Sequence, residues 1–171
     1  GATVDVDDGD AGDEGDAGDA GDAAAAEAAA ARCDDGWAVA VAAPMLRAWR
    51  AAERRQEVAA DLYERGSFGE AADAYADALS CVEAALRDDR HCRAALHASI
   101  AGCHRRGRRP DEAIAACDAA LALLPRFGRA LLRRAVCLLE CARTEEAVEA
   151  FEVLYRVDRQ WPRLSDWLVR A

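Results

Sequence analysis

The chain contains no lysine and no asparagine, so all 22 of its basic residues are arginine. So complete a shift reflects compositional bias, and it forbids reading each arginine as a guanidinium chosen for its fork. Aromatic residues make up 6% of the 171 residues, which argues against an aromatic-rich sandwich or barrel. No apolar run reaches 18 residues; the longest, from Trp37 to Leu46, contains Pro44 and is too short to span a bilayer. No charged-then-apolar leader opens the sequence. The seven cysteines are odd in number and irregular in spacing, with no C-x-x-C pair. A disulfide framework is therefore not expected; reduced thiols in a cytosolic or nuclear protein are, with a cytoplasmic location expected. Glycine-rich phosphate loops, G-x-S-x-G elbows and paired-carboxylate motifs are all missing, so no enzyme activity and no cofactor are expected.

Alanine is what the chain has in excess: 44 residues, against two isoleucines, Ile100 and Ile114. Because alanine is the strongest helix former, the composition predicts an all-α fold. The net charge of −10 is unevenly placed. Residues 1–35 carry twelve acidic groups and one arginine, a net of −11, which leaves +1 for the remainder. That balance gives no reason to expect nucleic-acid binding. The acidic segment repeats Gly, Ala and Asp with no apolar period, so it cannot bury enough surface to offset its ordering entropy. A disordered tail is expected over 1–35, with transient helix at most over 23–31.

From Trp37 onward the pattern is helical, and breakers divide it. Pro44 suits a first helical turn, and the first helix then runs unbroken from Met45 to Arg65. Gly66 ends it, and Ser67 with Glu70 reads as a capping box for a second helix reaching about Leu86. A third is expected from about Arg93 to Arg106, stopping at Gly107. Pro110, Asp111 and Glu112 open a fourth, closed by Pro125. A fifth spans about Phe127 to Ala142, a sixth starts at Thr144, and a seventh starts at Pro162.

The helices repeat. EAADAYADAL (70–79), EAIAACDAAL (112–121) and EAVEAFEVLY (146–155) align on Ala71, Ala113 and Ala147, then on Tyr75, Cys117 and Phe151, then on Ala78, Ala120 and Leu154. The last two copies are 34 residues apart, and the first two are 42 apart, an insertion of eight expected to lengthen the helix ending near Leu86. Ala59, Ala101 and Ala135 each precede the matching alanine by 12 residues, where a small side chain lets paired helices approach. One departure is that Gly107 stands one residue further from Ala113 than Gly66 would predict. Period and small-residue positions together resemble three tetratricopeptide repeats. The resemblance implies a right-handed superhelical solenoid, with repeats at about 52–92, 94–127 and 128–161 and a capping helix over 162–171. Trp161, Leu164, Trp167 and Leu168 give that cap its apolar face, and the whole helical domain runs over 36–171.

Such repeats bind peptides or helices in the groove lined by the first helix of each pair. In the third pair Arg129 and Arg133 lie one turn apart on one face, spaced to fork a carboxylate. Arg105 and Arg106 end the preceding groove helix and add positive potential. The stretches LHASIA (96–101), DEAIAACDAAL (111–121) and RALLRRA (129–135) are similar to the repeats of J-domain co-chaperones and Hsp-organising adaptors. That resemblance implies a carboxylate clamp for the acidic C-terminal tails of heat-shock chaperones. Arg129 falls where the family has a lysine, Arg133 on its arginine and Ser99 on an asparagine. Gln56 and Ala60 replace the first-repeat lysine and asparagine. In this family a J domain follows the last repeat, and the absence of an initiator Met and of a helix stop near Ala171 suggests a segment of a longer protein. A monomeric protein-binding adaptor is thus expected, with no metal site, since His91–Cys92 and Cys103–His104 are adjacent pairs that chelate poorly from a helix. The competing readings are a scaffold whose groove holds a partner helix and a thiol- or metal-dependent sensor.

Overall fold

The computed structural model describes residues 36–85 and 89–157. Those residues form six helices and no strand: α1 (Gly36–Glu64), α2 (Phe68–Ala85), α3 (Arg90–Arg106), α4 (Pro110–Leu123), α5 (Gly128–Glu140) and α6 (Thr144–Val157). The tail over 1–35 and the capping helix over 162–171 lie outside the described residues. Contacts divide the chain into two units with the boundary between Leu46 and Arg47. In the first unit only the opening turns of α1 are described.

Two helix starts differ from the sequence expectation. α1 begins at Gly36, with Pro44 inside it rather than in its first turn. Residues 37–43 contain no breaker, so helix extends upstream, although the proline forfeits one backbone hydrogen bond. α3 begins at Arg90, three residues ahead of the expected start, because the Asp89 carboxylate caps it by accepting the backbone N–H of Cys92 at 2.9 Å.

The eight-residue insertion does not go into one helix. α2 has 18 residues where α4 and α6 have 14, and α3 has 17 where α5 has 13. One extra turn is therefore added to each partner of an antiparallel pair, which keeps the connection short. Leu79 and Val82 of α2 pack with Leu96 of α3, and Arg93 reaches Glu83 at 3.1 Å.

The turn within each repeat is the same, and it resolves the offset of Gly107. Gly66, Arg108 and Ala142 occupy the left-handed position, with φ of 82°, 57° and 59°. Each stands five residues before its repeat alanine. The next backbone N–H closes the same wide bond in each: Ser67 to Leu62, Arg109 to His104 and Arg143 to Leu138, all at 2.9 Å. Gly107 sits one position earlier, at φ −74°, so the residue that needs a glycine is an arginine. A left-handed non-glycine costs about 1–2 kcal/mol, part of it recovered because glycine loses more freedom on folding. Arg108→Gly and Ala142→Gly should each raise stability by about 0.5–1 kcal/mol in urea denaturation, and Gly66→Ala should lower it by a similar amount.

From α2 to α6 successive helices pack side by side, and α3 also touches α5, so the first helices of those two pairs are neighbours. Ala59, Ala71, Ala101, Ala113, Ala135 and Ala147 are all fully buried, as close helix approach requires. Pro125 ends α4 by forcing Leu124 into an extended conformation, φ −134° and ψ 91°. The largest core cluster joins α5 and α6 around Leu131, Leu138, Phe151 and Leu154.

Candidate functional site

Arg133 crosses from α5 to α3. Its Nη1 donates to the carbonyl oxygen of Ala98 at 2.7 Å. The guanidinium lies against Gly102, where a Cβ would come within 3.2 Å of Cζ. Tyr63 of α1 and Cys117 of α4 lie within electrostatic reach of it, and its charge in turn acts on Tyr75 of α2 and Cys103 of α3. All five helices from α1 to α5 thus contribute to its surroundings. Burial pushes the pKa of Arg133 below its ordinary value, and the charge of Arg129 pushes the same way. An arginine stays protonated regardless. The half-buried, charged guanidinium beside Arg129 is a place where an anion would be favoured.

The other residues expected at the site are placed as follows. Arg129 is exposed, one turn before Arg133, with no carboxylate partner among the described residues. Ser99 is half-buried on α3, adjoining the carbonyl that Arg133 holds. Arg105 is 8% exposed and its Nη1 lies 3.2 Å from Oε1 of Glu140, so its charge is offset and it ties α3 to α5. The guanidinium carbon of Arg106 lies 6.0 Å over the ring of Phe68. Gln56 is half-buried on α1. The structure thus brings Arg129, Arg133 and Arg105 within one field, beside Ser99. Among the described residues no contact joins Gln56 or Arg106 to that cluster.

The thiols behave as core. Burial raises Cys103 to about 11 and Cys117 and Cys137 to about 12, so all three are protonated at neutral pH. Among the described residues no group of three or more His, Cys, Asp or Glu converges to hold a metal, and no helix is long and apolar enough to cross a membrane.

The tetratricopeptide repeat family profile matches residues 105–166. The fold matches the first TPR domain of Spaghetti (RPAP3), solved bound to an HSP90 peptide SRMEEVD, with a TM-score of 0.62 over 71% of this chain and 90% of that one, at 20% identity. The described helices have the fold of a tetratricopeptide-repeat array. A TPR2B domain of yeast Sti1, solved as a pHsp70 complex, aligns with a TM-score of 0.61 and 18% identity, covering 71% of this chain and 95% of that one. A curated maize (Zea mays) relative described as an HSP-interacting protein is 39% identical over 103 residues. Those residues are 58% of this chain but only 12% of the relative's length.

In the array α1, α3 and α5 are the first helices of their repeats, the ones that line the concave face in this architecture. Arg133 is on α5, half-buried, with Arg129 one turn before it. The residues that sequence reasoning did not single out are Tyr63, Tyr75 and Gly102. The aromatic positions of a repeat read as core, and nothing in their spacing shows a cation within electrostatic reach. Gly102 did leave a signal, since an isolated glycine inside a helical pattern usually has a packing or functional reason.

Proposed function

We propose that this tetratricopeptide-repeat array is a cytoplasmic co-chaperone-like adaptor, without chemistry of its own, that holds the acidic C-terminal peptide of a heat-shock chaperone. The observation that carries this reading is the half-buried guanidinium of Arg133, with Ala98 as its one hydrogen-bond acceptor among the described residues and Arg129 one turn away without a carboxylate. Two fork-shaped donors one turn apart match a carboxylate, and Ser99 adds a hydroxyl. The relatives solved with HSP90 and Hsp70 peptides and the HSP-interacting relative point the same way. The free cysteines suit a reducing compartment. On the first repeat Gln56 and Ala60 offer no charge, so recognition leans on the third.

The test is a titration with a labelled Ser-Arg-Met-Glu-Glu-Val-Asp peptide and its C-terminally amidated form. Amidation should weaken binding about tenfold or more, since each charged hydrogen bond contributes about 1.5–3 kcal/mol. Equal affinities would remove the carboxylate from the account, and competition by an apolar helix alone would favour a plain scaffold.

A further inference from the structure

We infer that Gly102 is a positioning residue for Arg133: its missing Cβ makes the shelf on which the guanidinium lies flat against α3, already oriented for an incoming carboxylate. The inference rests on the peptide-binding reading of this site.

The backbone does not require glycine there. Gly102 is helical, and Gly66 is the glycine with positive φ among the described residues. Glycine inside a helix is less stable than alanine, because it loses more backbone freedom on folding. In a chain with 44 alanines, keeping one calls for a reason. Space supplies it. The three atoms nearest a Cβ at this position all belong to Arg133: Cζ at 3.2 Å, Nη2 at 3.4 Å and Nε at 3.5 Å. The equivalent position, one residue after the buried repeat alanine, holds Ala60 in the first repeat and Val136 in the third. Only the repeat that receives the arginine has the glycine.

The contact also fixes an orientation. With the plane of the guanidinium laid on the helix, Nη1 reaches the Ala98 carbonyl at 2.7 Å and the remaining N–H groups are left for a ligand. A methyl group at 102 lifts that plane by a few tenths of an ångström and lengthens the Ala98 bond. A ligand then has to restore an orientation that the native protein already holds, and affinity falls although no contacting group has been removed.

The experiment is a double-mutant cycle of Gly102→Ala with Arg133→Ala, read by titration with the Ser-Arg-Met-Glu-Glu-Val-Asp peptide and by thermal melting. Gly102→Ala should weaken binding about three- to tenfold, a coupling typical of residues in contact, while Tm holds or rises. In the Arg133→Ala background the same substitution should leave the affinity unchanged. Unchanged affinity in the native background, or an equal loss in both, overturns the inference. The Arg133 Nε–Hε resonance, followed without peptide, separates the two claims. If the native protein binds no acidic peptide, the peptide reading fails. The resonance then decides the positioning alone: displacement by Gly102→Ala upholds it, and an unmoved signal ends it.

Discussion

Replacing Arg133 by alanine is expected to cost peptide affinity about 10- to 150-fold while moving stability by no more than about 1 kcal/mol. The affinity figure follows from losing one charge-assisted contact to a carboxylate, about 1.5–3 kcal/mol. The stability figure follows from two opposed terms. The substitution removes the hydrogen bond to Ala98, which stabilises the α3–α5 contact. It also removes a desolvated cation whose neighbour Arg129 repels it, and deleting such a group recovers what its burial cost. Arg105→Ala should behave the other way. Its guanidinium is buried and held by Glu140, whose side chain is 41% exposed, so breaking the pair lowers stability by about 1 kcal/mol and leaves affinity unchanged. Parallel melting curves and peptide titrations on the two variants check this. An Arg133→Ala protein that melts early but binds normally would reduce Arg133 to a structural tie.

That contrast could not be drawn from the sequence, where Arg105 and Arg133 look alike. Arg105 lies in the last turn of α3 and Arg133 in the middle of α5, and neither position shows which guanidinium a carboxylate will meet. What distinguishes them is whether a carboxylate from another helix arrives, and Glu140 is 35 residues from Arg105. The repeat itself was legible, because the fully buried alanines recur at fixed spacing and the architecture follows from stacking them. Local competition was less so. Asp89 starts α3 early with one hydrogen bond, and the left-handed turn position is held by register even where glycine has slipped to 107. The split insertion was hidden for a related reason: sequence counts the added residues, whereas antiparallel pairing decides that both helices must grow by a turn.

The largest loss of stability is expected from Phe151→Ala. The three repeats fill one equivalent position with Tyr75, Cys117 and Phe151: the tyrosine is half-buried, and the cysteine and phenylalanine are fully enclosed. Phe151 is the largest fully buried side chain among the described residues, and it joins Leu138 and Leu154 at the centre of the α5–α6 core. Truncation to alanine should cost about 3–5 kcal/mol, a large share of the 5–15 kcal/mol that holds a typical domain folded. In a repeat array the damage is local, because each pair contacts only its neighbours. The α5–α6 hairpin should therefore open before α2–α4, giving a broadened or two-step melt rather than a simple downward shift in Tm. Arg129 and Arg133 both sit on α5, so acidic-peptide binding should vanish over the first step while much of the helical circular dichroism persists. Hydrogen exchange resolved by segment tests this directly. Faster exchange confined to 128–157 is the expected result, and uniform acceleration across α2 to α6 would mean that the array unfolds as one cooperative unit.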